Sequence, residues 1–259
     1  MKALMSIEGP ISIFIASWGR PIYLWACLDA LWRNTHTSAK VILLDNAHPD
    51  PLVTEVIAGF ERRGLFDEVV RFPTNRIENI INAYIERIEE AGEWHVYMES
   101  DVVIKDARNC WLSEMHQIVE IDSSIGMLGS LIDTGDFIDR ETAIQLAGGD
   151  TQSATFLAKL DSAEREFTNS NKWENGLLAS FPTEAPCPIG NPPGRLLMLK
   201  TDVVLEKGFS LDMELANSFR EKGYKPSITS RVCHRHLSLL NLYDYTAYSE
   251  IERNEFFRL

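Results

Sequence analysis

The chain has 259 residues, 45% of them hydrophobic and 24% charged, a composition that fits a globular protein and excludes a disordered one. Its formal net charge is −13 and its pI about 4.9, so nucleic acid and anionic lipid are repelled and excluded as main partners. No apolar run approaches the ~18 residues of a membrane span, none reads as a secretory signal, and Cys27, Cys110, Cys187 and Cys233 form no CxxC pair, so a cytoplasmic protein with reduced thiols is expected.

The first hundred residues alternate between short β-branched runs and longer stretches of helical period. Ile11 to Ala16 reads as a strand, and Pro21 then opens a helix carrying Leu24, Leu28 and Leu31. Val41 to Leu44 is a second strand, and the helix from Pro51 carries Val53, Val56, Ile57 and Phe60 before Gly64 ends it. Glu68 to Phe72 is a strand, Ile77 to Ile88 a helix, and Trp94 to Met98 a strand. This alternation predicts an α/β protein with a mostly parallel sheet flanked by helices. Beyond Asp101 the pattern weakens. A strand is expected over 125–132, and residues 133–195, rich in Gly, Pro, Asn and Asp, read as a partly mobile loop region that holds an acceptor. Order returns with a strand at Leu196 to Leu199, a helix from Met213 to about Lys222, and a strand near Ile228 to Val232. The tail from Leu237 is aromatic-rich.

In an open parallel sheet, ligands bind at the carboxyl ends of the strands. That rule selects Ser17, Trp18 and Arg20 after strand one, Asp45 after strand two, Asn75 and Arg76 after strand three, and Glu99, Ser100 and Asp101 after strand four. Glu99 and Asp101, two carboxylates one residue apart, form a hard-oxygen site suited to Mg²⁺ or Mn²⁺, whose remaining coordination positions go to water and substrate phosphate. Arg20, Arg76, Arg195, Arg231 and Arg235 are candidates for phosphate or substrate contact, because a guanidinium matches phosphate oxygens. Asp133 and Asp136 either bind acceptor hydroxyls or cap a turn. Trp173 either stacks on an acceptor sugar or packs the loop.

These motifs together resemble the GT-A glycosyltransferases, family 2 in particular. Residues 14–21 (FIASWGRP) are similar to the opening strand and turn of that family, Asp45-Asn46 to its base-binding acid, residues 75–83 to the segment leading into the helix below the diphosphate, and residues 92–101 (GEWHVYMESD) to its D-x-D strand. Residues 211–224 (LDMELANSFREKGY) resemble its E-D-x-D-L helix and following G-Y. On that resemblance Asp212 falls on the catalytic base of inverting members and Glu214 on the following acid. Cys233-His-Arg-His236 falls where many members place a histidine that completes the metal site. Two histidines alternating on a strand face the same side; His234 is expected as the ligand, with His236 as a further acceptor or phosphate contact. The sequence departs from the family pattern in carrying Glu99 for the first acid of D-x-D, Leu211 for the first acid of E-D, and Trp18-Gly19 in the opening turn.

The resemblance implies one GT-A domain over 1–259, with a nucleotide-sugar-binding half at 1–131, an acceptor and catalytic half at 132–236, and a tail at 237–259. It implies sugar transfer, inverting and metal-dependent, from a UDP-sugar in the first place or a GDP-sugar in the second, to a carbohydrate or other hydroxyl acceptor. Oligomeric state stays open, a homodimer included. A non-catalytic nucleotide-sugar-binding module also stays open. A sugar nucleotidylyltransferase would carry a Gly-rich loop after strand one, where this chain has only Gly19. A Rossmann dehydrogenase would carry G-x-G-x-x-G there, and this chain does not.

Overall fold

The structure, a computed structural model, describes residues 9–48, 50–105, 109–133, 135, 139–147, 157–158, 160–161, 164, 185–190, 192, 195–210 and 213–237. Its first half follows the expected alternation: β1 (Ile11–Ser17), α1 (Pro21–Asn34), β2 (Ala39–Asp45), α2 (Pro51–Arg62), β3 (Glu68–Arg71), α3 (Ile77–Ile88) and β4 (Trp94–Glu99). Pro21 and Pro51 both sit in the first turn of their helices, where a missing N–H costs nothing, and Asp50 caps α2 by accepting from the Leu52 amide at 3.0 Å.

The second half is richer than its sequence pattern. It runs β5 (Val102–Ile104), α4 (Trp111–Ile121), β6 (Met127–Ile132), α5 (Arg140–Ala147), β7 (Cys187–Pro188), β8 (Leu196–Lys200), α6 (Thr201–Lys207), α7 (Met213–Glu221) and β9 (Pro226–His236). The sequence reading contains none of β5, β7, α4, α5 and α6. β5, β7 and α6 are too short to show a period. α5, inside the segment expected to be loop, has only eight residues; Asp139 accepts from the Thr142 amide, and Arg140 pairs with Asp161 and Glu164. β9 has 11 residues, more than twice the expected length, and contains both histidines.

Among the described residues the sheet has nine strands in the order β3-β2-β1-β4-β8-β6-β9-β5, with β7 paired to β9. β1 to β4 are parallel, and β6 and β9 run with them. β8 lies antiparallel between β4 and β6. The carboxyl ends of β1, β2, β4, β6 and β9 and the start of β8 therefore share one edge. All seven residues of β1 are buried, which explains why only Ser12 and Ser17 interrupt its apolar pattern.

Helices cover both faces. α1, α2 and α4 pack on one through Leu24, Leu28, Val53, Ile57 and Met115, and α3, α6 and α7 on the other through Ile80, Tyr84, Val204 and Phe219. Each of these fully buried aliphatic side chains contributes on the order of 1.5–3 kcal/mol relative to exposure. The second face also holds a buried polar chain: Tyr84 Oη bonds His95 Nε2, and His95 Nδ1 bonds Thr201 Oγ1 at 2.9 Å. Burial pushes the His95 imidazole down to about 3. No helix among the described residues is long and apolar enough to cross a membrane.

The β6–β9 pairing carries the irregularity that shapes the site. Ser130 pairs with Thr229, but Leu131 pairs with Cys233, so Ser230, Arg231 and Val232 are inserted in β9 between consecutive pairs. Beyond this bulge β9 also pairs with β5, with Val102 opposite His236.

Candidate active site at the carboxyl edge of the sheet

Glu99 is the last residue of β4, and Ser100 and Asp101 make the turn into β5. The turn is fixed by backbone bonds from Glu99 N to Arg195 O and from Ser100 N to Ala16 O, both 3.0 Å, and from Leu237 N to Asp101 O at 2.9 Å. Because Val102 faces His236, the imidazole arrives beside Asp101: His236 Nε2 lies 3.3 Å from Asp101 Oδ2. Glu99, Asp101 and His236 are all buried, with candidate ligand atoms within 4.8 Å of one another.

Two arginines close on this cluster. Nη1 of Arg195, presented by the start of antiparallel β8, lies 2.6 Å from both Oε1 and Oε2 of Glu99. Nη2 of Arg20 lies 3.3 Å from Asp101 Oδ2, and its guanidinium stacks on Tyr23 at 5.1 Å. Burial holds the Glu99 carboxyl above the usual range; Arg195 pulls it down and Asp101 adds to the rise.

The two histidines of β9 are placed differently. His236 joins the carboxylates, whereas His234, although on the same side of β9, bonds Ser130 Oγ through Nδ1 at 2.7 Å. Its Nε2 is buried with no hydrogen-bond partner among the described residues, and burial pushes this imidazole down to about 3. Alternation could not separate the two residues; the register against β5 does.

A second polar group lies at the ends of β1 and β2. Ser17 pairs with Asp45 in the parallel register, and Ser17 Oγ and Asp45 Oδ1 are both buried without a hydrogen-bond partner among the described residues. Burial raises the Asp45 carboxyl, with Arg71 and His48 opposing. Asn46, which the sequence reading did not single out as a site residue, ties this corner together. Its Nδ2 donates to Asn75 Oδ1 at 2.9 Å and its Oδ1 accepts from the Arg76 amide at 3.0 Å. His48 closes the loop over Gly19: a Cβ at Gly19, where φ is 77°, would lie 2.1 Å from the His48 Cβ. His48 carries no sequence signal beyond its place after β2. Trp18 packs against the core cluster on the α3 face.

The remaining candidates are spread out. At the end of β6, Asp133 Oδ2 pairs with Lys105 Nζ at 2.5 Å and its Oδ1 accepts from the Gly135 amide. Burial raises this carboxyl, but those partners outweigh it and hold it below the usual range. Arg231, in the bulge, forms an ion pair with the buried Glu114 of α4. Glu214 is exposed in the first turn of α7. Asp136, Trp173 and Asp212 lie outside the described residues.

No protein-family model matches this chain, and no curated protein matches it in sequence. Its fold matches solved glycosyltransferases. The mannosyltransferase PcManGT from Pyrobaculum calidifontis, in complex with GDP-Man and Mn²⁺, aligns at a TM-score of 0.57 and 12% identity, covering 90% of this chain and 58% of that one. GalNAc-T7 with UDP, GalNAc and Mn²⁺ aligns at 0.56 and 12%, covering 96% and 47%. Residues 1–349 of S. aureus TarS align at 0.50 and 13%, covering 94% and 68%. The fold is GT-A, a sheet flanked by helices. The chain spans 58% of the mannosyltransferase and 47% of GalNAc-T7, and what it shares with them at this identity is architecture.

Proposed function

We propose that this chain is a glycosyltransferase that moves a sugar from a nucleotide diphosphate sugar to a hydroxyl acceptor with the help of Mn²⁺ or Mg²⁺. The observation that carries the reading is the buried Glu99–Asp101–His236 cluster at the carboxyl edge of a GT-A sheet.

The cluster fits a divalent ion. Ligands of an octahedral ion at about 2.1 Å stand about 3 Å apart, near the 3.3 Å between His236 Nε2 and Asp101 Oδ2. Carboxylate oxygens with one neutral imidazole suit Mn²⁺. Asp101, His236 and Glu99 would hold the ion, which supplies positive charge to a departing diphosphate. That charge matters in a chain of net −13.

The protein's own groups supply the rest. The buried Asp45 oxygen accepts from a base N–H, with Ser17 and the Asn46–Asn75 bond shaping that corner. Arg20, Arg76 and Arg195 offer guanidinium groups to phosphate. Asp212, the position that resembles the base of inverting members, accepts the proton of the attacking hydroxyl; its carboxylate would be paired with that hydroxyl only when acceptor is bound. A UDP-sugar is the preferred donor and a GDP-sugar the alternative.

One observation favours a second reading, a binding module without turnover: both cluster carboxylates already pair with arginines. A thermal-shift panel of UDP-, GDP- and dTDP-sugars with and without Mn²⁺ tests the shared part. Ligand at 100 times its Kd stabilises by about 2.7 kcal/mol. The expected result is a shift for one base that requires Mn²⁺; no shift with any donor overturns both readings. Release of nucleoside diphosphate in the presence of acceptors separates the enzyme from the module.

A further inference from the structure

The cluster that would take the ion is already neutralised from within. Glu99 and Asp101 carry two negative charges, and Arg195 and Arg20 bring two positive ones. Both oxygens of Glu99 are engaged by the same Arg195 nitrogen at 2.6 Å. An ion that used Glu99 would compete for those oxygens with a guanidinium, and would enter a site of no net charge. The two arginines differ in how they are held. Arg20 is stacked on Tyr23 and its side chain is 18% exposed, whereas the Arg195 side chain is 35% exposed, so a guanidinium turned off Glu99 reaches solvent or ligand.

The geometry points to Arg195 as an exchangeable counter-cation. It occupies Glu99 before ligand binds and passes to the diphosphate when ion and nucleotide bind together. This inference rests on the metal-dependent reading above and adds the residue that couples the two ligands. A diphosphate makes the exchange favourable twice over, by its own attraction to the ion and by offering Arg195 oxygens to replace those of Glu99. Ion and nucleotide then each tighten the other by the same factor, as linkage requires. Removing Arg195 leaves a buried carboxylate without its counter-charge, which an ion relieves directly.

The test is Mn²⁺ binding by electron paramagnetic resonance or calorimetry to wild type, Arg195→Ala and Arg195→Lys, each checked for folding by circular dichroism, followed by UDP titration at saturating Mn²⁺. Arg195→Ala is expected to bind Mn²⁺ alone on the order of 10-fold tighter than wild type and UDP on the order of 10-fold weaker, within the range typical of coupled sites. Arg195→Lys, which keeps a charge but not the planar fork, is expected to fall between the two, and stands alone as the test if the alanine variant does not fold. Mn²⁺ affinity unchanged or weakened in the variants, with wild type binding Mn²⁺, overturns the inference and leaves the metal reading standing. Absence of Mn²⁺ binding in wild type and both variants overturns the metal reading and the inference with it.

Discussion

His236 approaches Asp101 to 3.3 Å, Nε2 to Oδ2, because β9 beyond its bulge also pairs with β5 and sets His236 opposite Val102. His234, two residues earlier, spends Nδ1 on Ser130. The two histidines are therefore expected to separate in a metal-binding measurement. His236→Ala and Asp101→Ala should each lower Mn²⁺ affinity by more than about 100-fold, whereas His234→Gln should stay below the ~10–100-fold loss typical of residues that only support a ligand. Calorimetric titration with Mn²⁺ checks this. A larger loss from His234→Gln than from His236→Ala would reverse the assignment.

Asp45 ends β2 with a buried oxygen that has no hydrogen-bond partner among the described residues, and burial raises its carboxyl. An unsatisfied buried polar group costs about 1–3 kcal/mol. Asp45→Ala is expected to raise the stability of the ligand-free protein by up to about 1 kcal/mol while weakening nucleotide on the order of 10-fold. Urea unfolding and nucleotide titration read the two effects separately. A variant that loses stability and keeps its affinity would remove Asp45 from the nucleotide corner.

Gly19 has φ 77° and no room for a Cβ beneath His48. Gly19→Ala should cost about 1–2 kcal/mol for the left-handed backbone and about 1–3 kcal/mol more for the overlap. His48→Gly in the same background, which removes the offending Cβ, is expected to restore most of the second part. Denaturant unfolding of the single and double variants measures the coupling; strict additivity would show that the two loops do not press on each other.

The buried His95 makes stability depend on pH. Its folded value of about 3 lies below the unfolded 6.5, so between these the unfolded chain binds more protons and stability falls as pH falls. From pH 7.5 to 5.5 the contribution is a loss of about 1.4 kcal/mol. His95→Gln, which can still bond Tyr84 or Thr201, should flatten the profile by that amount in urea melts at the two pH values. An unchanged slope would mean that the ring titrates normally.

Asp212→Asn is expected to keep donor and Mn²⁺ binding and lose transfer by on the order of 10²-fold or more, the usual size of a general-base effect. Calorimetry beside a transfer assay tests the pair of outcomes. Normal transfer would assign the base elsewhere.

The alternation from Ile11 to Glu99 was readable because β1, β2 and β4 sit inside the sheet, where burial on both faces leaves mostly apolar runs between helices of regular period. Asp45, Glu99 and Asp101 followed as polar residues at the ends of such runs. α5 and β5 stayed hidden because they have only eight and three residues. What the linear chain could not decide is which distant groups meet. Arg20 reaches Asp101 across 81 residues and Arg195 reaches Glu99 across 96, the latter only because β8 runs antiparallel and starts at the edge where its neighbours end. The different placement of His236 and His234 belongs to the same class. Side-chain periodicity is a local property that puts both on one side, whereas strand register is a pairing between separate segments and exists only once the sheet has formed.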